Sequence, residues 1–433
     1  MRKIALVSEH ASPLAAAGGV DSGGQNIYVA NVARELARRG WQVDVFTRKD
    51  RGFLPEVMHW HDGIRVIHVP AGPASLLPKE ALLPHMAGFG DWMTLFCAAH
   101  GGYDLVHANF FMSGMAGRTV ARRLGLPLVM TFHALGRVRR LHQGEADGFP
   151  PERAEIEDSL VRDADLTIAE CPQDELDLLR LYGADPTRIE IVPCGFDAAE
   201  FAPEDRAAAR RRLGWHHADF TVLQLGRLVP RKGVDNVIAA LACLAREHGM
   251  RARLVIVGGN SARPNAVATP EIGRLQELAQ TLGVADRVEF AGRRGRDELR
   301  WFYGASDVFA TTPWYEPFGI TPVEAMACAR PVIGAEVGGI RSTVLDGVTG
   351  FLVAPRDPSA LARRLAWLQA DPELAQRMGA AGQLRANAMY RWSQVADRLI
   401  AAYSRLLGGA GAGRAVATAS AAAGADLRET SWP

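Results

Sequence analysis

Short, continuous apolar runs alternate with helical patterns along the chain, and the whole series occurs twice. The first series comprises Ile4–Ser8, Gln42–Thr47, Ile64–Val69, Leu105–Ala108, Leu128–Phe132, Leu166–Ala169 and Ile189–Val192. The second comprises Thr221–Leu225, Leu254–Val257, Val288–Phe290, Val308–Ala310, Pro331–Ile333 and Phe351–Val353. Such runs are expected of strands buried on both faces of a parallel sheet. Between them the period changes. In Gln25–Arg39 apolar residues recur at helical spacing, with Gly40 placed to end the helix. Asp235–Glu247, Arg274–Leu282, Asp297–Tyr303 and Pro322–Cys328 read the same way. Repeated βαβ units predict an α/β protein with two Rossmann-like, doubly wound domains facing across a cleft. The expected boundary lies near Pro193–Pro203, giving a first domain over 1–200 and a second over 201–388.

The 433 residues carry 49 Lys plus Arg against 48 Asp plus Glu, a formal charge of +1. That balance argues against a protein that holds nucleic acid by counterion release, and against a polybasic membrane binder. The five cysteines, Cys97, Cys171, Cys194, Cys243 and Cys328, include no pair at CxxC spacing and suit a reducing cytosol. The apolar stretch Ile4–Val7 is too short for an export signal, and no run reaches the ~18 residues of a membrane span. The sequence therefore predicts a cytoplasmic protein without a transmembrane segment. The Ala- and Gly-rich segment 409–433 lacks apolar periodicity and is expected to be disordered.

Four features carry chemistry. Glu316-Pro-Phe-Gly-Ile-Thr-Pro-Val-Glu324 follows a strand and opens a helix. Two glutamates so spaced could be solvated surface, but Pro317 and Gly319 force an irregular loop at the carboxyl end of a strand, where open α/β sheets bind ligands. The helix start would aim the N–H groups of Phe318, Gly319 and Ile320 at an anion. Gly226-Arg227-Leu-Val-Pro-Arg-Lys232-Gly233 also follows a strand; Arg227 offers a planar fork for phosphate and Lys232 a compact charge, while Arg231 is expected to be solvated. The glycine-rich loop Gly18-Gly19-Val-Asp-Ser-Gly23-Gly24 permits close backbone approach to a ligand but is not GxGxxG, so the nicotinamide fingerprint is missing. His133 stands at a strand end in Thr-Phe-His-Ala, with His107 a weaker candidate of the same kind.

Together these residues resemble the family 4 retaining glycosyltransferases, whose two-Rossmann architecture is called GT-B. The resemblance covers about residues 1–408 and rests on Glu316–Glu324, Arg227 with Lys232, Leu254-Val-Ile-Val-Gly-Gly259, Val337-Gly-Gly339 and Arg296–Asp307. The opening Gly-Gly-Val-Asp-Ser-Gly-Gly-Gln-Asn-Ile-Tyr-Val is similar to the branch holding sucrose synthase, sucrose-phosphate synthase and the inositol-phosphate transferase of mycothiol synthesis. The resemblance implies that Arg227 and Lys232 neutralise a donor diphosphate, that Glu324 takes the ribose hydroxyls and that Glu316 takes those of the donor sugar. It implies backbone N–H groups from Phe318, Gly319 and Ile320, approach of Gly19 to the diphosphate, a base-binding turn at Arg293 and Arg294, and His133 beside the reacting carbon. Gly24, Lys79 and Arg153 would serve the acceptor. Phe110 and Ala134 stand where hydroxyl residues would grip a phosphorylated acceptor, which favours a non-phosphorylated or differently charged one. Tyr390–Leu407 matches a helix that crosses back onto the first domain, the piece 389–408. No metal and no cofactor are implied.

The expectation is thus a retaining hexosyl transfer from a nucleotide diphosphate sugar, UDP-linked by branch resemblance, to a small-molecule or glycan hydroxyl. Retention can use a carboxylate nucleophile. None stands at the matching position, so front-face substitution is preferred. A nucleotide-sugar 2-epimerase of the same fold and a non-catalytic nucleotide-sugar binder are the competing readings.

Overall fold

The computed structural model describes residues 1–15 and 23–425, with side chains up to Gly408. Two sheets form. The first contains β1 (Lys3–Val7), β2 (Gln42–Arg48), β3 (Val57–His61), β4 (Ile64–Val69), β5 (Leu105–Asn109), β6 (Leu128–Thr131), β7 (Leu166–Ala169) and β8 (Ile189–Ile191). Their spatial order is β3-β4-β2-β1-β5-β6-β7-β8. All pairs are parallel except β3 with β4. The second sheet contains β9 (Thr221–Leu225), β10 (Arg253–Val257), β11 (Val288–Gly292), β12 (Val308–Thr311), β13 (Val332–Ala335) and β14 (Gly350–Val353). It is wholly parallel, in the order β11-β10-β9-β12-β13-β14. These are the two doubly wound sheets anticipated from the alternating runs.

β3 lies outside that expectation. It is an edge strand with a half-exposed pattern, so it offers no continuous apolar run to read. The central strands do: β1, β5 and β9 are buried along their whole length. Chain order reverses at β1, flanked by β2 and β5, and at β9, flanked by β10 and β12. Each reversal opens a crevice at the strands' carboxyl ends, where ligands bind in such sheets.

The chain passes between the sheets along two adjacent segments. Phe196 N–H donates to the Tyr390 carbonyl at 2.8 Å, and Trp392 N–H donates back to Phe196 at 3.3 Å. Gly195 permits this approach, since a Cβ there would lie 2.9 Å from both the Trp392 ring and the Tyr390 carbonyl oxygen. The final helix, Trp392–Ala425, then packs against Gly24–Arg38 of the first domain. Arg39 Nε meets Asp397 at 2.7 Å, and Tyr403 OH meets His107 Nδ1 at 2.7 Å. The backbone of this helix is described as far as Ala425, within the Ala- and Gly-rich segment that begins at Gly409. The remainder of that segment, 426–433, lies outside the described residues.

Candidate active site

The second-domain half of the site is built from strand ends that lean on one another. After β9, Gly226 turns at φ +146°, and its carbonyl lies where a Cβ on Gly258 would come within 2.0 Å, so the loops after β9 and β10 can meet only with glycine there. A single 3-10 turn, Pro230–Lys232, follows and ends on Gly233 at φ +64°. Thr312 Oγ1, just beyond β12, fixes that turn by donating to the Gly233 carbonyl at 2.8 Å. Lys232 is thereby aimed at the next loop, where its Nζ donates to Glu316 Oε2.

The Glu316 loop rests on glycines as well. Gly339 N–H donates to the Glu316 carbonyl at 3.1 Å, and Gly338, at φ +46°, leaves 1.8 Å between its notional Cβ and that same oxygen. Gly319, at φ +92°, caps the helix Ile320–Ala327. Phe318 is buried and packs edge-on against Tyr390, so what it offers a ligand is its backbone. Burial works against the Glu316 carboxylate, yet Lys232, Arg231 and Arg227 outweigh it and hold its pKa below the ordinary value. Burial lowers the Lys232 pKa, with Glu316 opposing.

Glu324 faces the cleft from the buried side of the helix. Tyr303 OH donates to its Oε2 at 3.2 Å, and Arg296 Nη1 stands 3.1 Å from Oε1. That contact is an ion pair without hydrogen-bond geometry, so Oε1 accepts no hydrogen bond within the chain. Burial raises the Glu324 pKa, partly offset by Arg296 and Tyr303. A buried carboxylate with an unused acceptor atom suits a hydroxyl donor.

The first domain contributes His133, immediately after Phe132 at the end of β6. Its φ of +58° is unusual for a residue with a side chain and is held by tertiary contacts. Its Nδ1 lies 2.7 Å from Glu170 Oε1, its Nε2 lies 2.9 Å from Asn109 Oδ1, and Tyr28 packs edge-on at 4.8 Å. Glu170 is itself buried and accepts from Cys194 Sγ at 3.0 Å.

Both halves line one cavity of about 450 Å³, within the range of ordinary small-molecule sites. It brings together His133, Gly24 and Lys79 of the first domain with Arg227, Lys232, Arg293, Arg294, Glu316, Phe318, Gly319, Ile320 and Glu324 of the second. Gly19 lies outside the described residues. Arg153 is not among the lining residues. It is 3% exposed, bonds Glu157 at 2.7 Å, and has its guanidinium 4.7–4.9 Å from the ring centres of Phe110, Phe111 and Phe149. Its acceptor role is therefore corrected to support of the wall that Phe110 and Phe149 present to the cavity. His107 is removed from consideration too. It is buried between Tyr403 OH and Thr131 Oγ1, and burial pushes its pKa down to about 3.

Among the cleft residues that sequence reasoning did not assign to the site are His10, Arg139, Glu170, Arg231 and Tyr315. His10 follows β1 closely, the same strand-end signal that singled out His133, and its Nδ1 lies 2.7 Å from the buried Glu9 carboxylate. Arg231 was expected to face solvent. Instead its guanidinium covers the Tyr315 ring at 5.1 Å, and its Nη1 is buried without a hydrogen-bond partner.

Two doubly wound sheets sharing a cleft lined by cations from one side and a strand-end histidine from the other define a GT-B type glycosyltransferase. Family models agree over both halves: residues 23–195 match the glycosyl transferase 4-like domain, and residues 205–385 match glycosyl transferases group 1. The D-inositol 3-phosphate glycosyltransferases of Actinosynnema mirum and Acidothermus cellulolyticus are 38% and 39% identical to the chain. The alignments cover 94% and 93% of this chain and 97% and 90% of those proteins. Among solved structures, sucrose-phosphate synthase from Thermosynechococcus elongatus superposes with a TM-score of 0.86 at 33% identity, covering 94% of this chain and all of that one. Anabaena HepE, solved with UDP and glucose, shares the fold at a TM-score of 0.71 and 22% identity, with 93% of this chain and 100% of that one covered. The chain belongs to the family 4 glycosyltransferases, in the branch that holds the inositol-phosphate transferases and sucrose-phosphate synthase. Among the described residues no helix is long and apolar enough to cross a membrane.

Proposed function

We propose that the protein transfers a hexosyl group, with retention, from a UDP-linked sugar to a hydroxyl of a small polyol that carries negative charge. The carrying observation is the meeting of Arg227, Lys232 and Glu316 with His133 across one cavity of about 450 Å³. Arg227 and Lys232 stabilise the diphosphate as its bond to the anomeric carbon breaks, which is preorganised charge placed where negative charge develops. The acceptor oxygen bonds to that carbon from the same face, and its proton passes to the departing phosphate oxygen. Glu316 and Glu324 hold hydroxyls of the sugar and the ribose. Neither Glu316, tied to Lys232, nor Glu170, tied to His133, is offered as a nucleophile. Arg293 and Arg294 face the base, and Gly19 would complete the diphosphate contacts.

The charge of the acceptor is inferred from Lys79, Arg139 and Arg231, which line the same cleft as Phe110 and Ala134, Arg139 being shared with Asp147 at 2.7 Å. With two hydroxyl residues replaced by Phe110 and Ala134, the grip on an acceptor anion would fall to these cations. The relatives, D-inositol 3-phosphate glycosyltransferase and sucrose-phosphate synthase, agree by name with a charged acceptor. The test is a thermal-shift panel of UDP-, GDP- and ADP-sugars, because ligand binding to the folded state raises the melting temperature. Nucleotide release is then measured with and without phosphorylated and neutral polyols. UDP-sugars should stabilise most and release should require an acceptor. Equal release from donor alone would favour the epimerase reading instead.

A further inference from the structure

The loop carrying Glu316 is tied across the cleft on both sides of that residue. Tyr315 is 5% exposed, and its hydroxyl accepts a hydrogen bond from Gln143 Nε2 at 2.6 Å. Its ring lies 5.1 Å from that of His142 at an interplanar angle of 19°, and the Arg231 guanidinium covers it at 5.1 Å. On the other side, Cys171 Sγ donates to the Pro317 carbonyl at 3.2 Å. The first-domain partners are not arbitrary. His142 and Gln143 end the helix Gly136–Gln143, which starts just after His133, and Cys171 follows Glu170, the carboxylate that holds His133. The second-domain partners are equally pointed: Arg231 and Tyr315 are the chain neighbours of Lys232 and Glu316, which bond each other.

Tyr315 also stands between two spaces. Tyr315 and Glu316 line both the main cleft and a second cavity of about 220 Å³, lined further by His142, Asp174, Asp177 and Glu336. This tie, or strap, across the cleft is thus part of the wall between the main cleft and the second cavity.

We propose that Tyr315 is a positioning residue: the stack His142–Tyr315–Arg231, with the Gln143 hydrogen bond, sets the separation of His133 from the Lys232–Glu316 pair and closes that side of the site to water. This rests on the glycosyltransferase reading. Interfaces between domains of one chain are mobile by default. A misplacement of about 1 Å between groups that act together can cost 10²-fold in rate. One ring stack and one hydrogen bond, placed beside the reacting pair, hold the two half-sites in this arrangement.

The test compares Tyr315→Phe, Tyr315→Ala and Gln143→Ala in the full chain. Turnover, UDP affinity by calorimetry, and the ratio of donor hydrolysis to transfer are measured for each. Tyr315→Ala should lower transfer turnover about 10- to 100-fold, leave the UDP dissociation constant within about twofold, and raise the hydrolysis fraction. Tyr315→Phe and Gln143→Ala should show the same smaller loss, and the double variant no more than either alone. Unchanged turnover, or UDP affinity falling in step with turnover, would overturn the proposal. If the native chain processes no nucleotide sugar, the functional reading fails separately. Small-angle scattering then decides the strap: Tyr315→Ala must show a larger radius of gyration than the native chain, and an equal one refutes it.

Discussion

Replacing Lys232 by alanine should cost the enzyme about 10²–10³ in turnover, or roughly 2.7–4 kcal/mol of transition-state stabilisation, as for one preorganised donor at a developing charge. The structure pushes the value toward the upper end. Lys232 Nζ is bonded to Glu316, so its removal also releases the carboxylate assigned to the sugar. Arg227 stays, which keeps the loss from being total, and with Arg231 it still offsets the Glu316 charge, so the melting temperature should change little. The assay is nucleotide release at saturating donor and acceptor, with UDP affinity measured beside it. Because the pair is in direct contact, Lys232→Ala combined with Glu316→Gln should lose less than the two single losses added together. Burial lowers the Lys232 pKa, and the protonated form is the active one. The alkaline limb of turnover should therefore fall at lower pH than an ordinary lysine would give, and vanish in the alanine variant. Turnover within about threefold of the native chain at demonstrated saturation would refute the role given to Lys232.

Glu316→Gln should reduce turnover more than UDP affinity, whereas Glu324→Gln should mainly reduce UDP affinity, since contacts at the reacting centre can strengthen in the transition state and remote ones bind both states alike; calorimetry showing the reverse would overturn the pairing of roles. Burial raises the Glu324 pKa, so UDP affinity should weaken on acidification at higher pH than an exposed glutamate would produce, an effect absent from Glu324→Gln. Gly338→Ala should abolish donor binding, because its Cβ would lie 1.8 Å from the Glu316 carbonyl oxygen at a φ of +46°; retained UDP affinity would show that the loop can move without harm. Burial, with Glu170 nearby, pushes the Asp174 carboxyl from 3.8 up to about 8, so the folded chain holds its proton where the unfolded chain has lost it. Stability from this group is then present at low pH and lost as pH rises through about 8. Asp174→Asn can still accept the Glu170 N–H bond, and it should raise the melting temperature at pH 8–9 while leaving it unchanged near pH 4; an equal change at both would remove the linkage.

What could be read from the sequence, and what could not, divides along a physical line. The buried strands were legible because burial on both faces leaves an uninterrupted apolar run, as in β5 and β9; β3, half exposed at the edge, leaves none. Arg227, Lys232, Glu316 and His133 were legible because each lies in a loop that follows a strand, and Glu324 because it lies in the helix that the Glu316 loop opens, local positions that the pattern of runs locates. Arg153 and Arg231 misled for one shared reason. Each is a cation in a helix or turn whose aromatic neighbours come from elsewhere in the fold; the i,i+4 spacing to Glu157 was the one local sign that Arg153 is paired rather than solvated. Three phenyl rings enclose Arg153 beside its Glu157 partner, while Tyr315, from a loop after a different strand, turns Arg231 inward. The contacts that make one site from two half-sites are all of this non-local kind. Gln143 with Tyr315 and Cys171 with Pro317 join segments far apart in sequence, and no run, cap or turn in either segment announces its partner. Each domain's chemistry is therefore written locally. Their alignment is a property of the interface alone, so substitutions at the strap should alter the rate of transfer while each half of the site keeps its own ligand contacts.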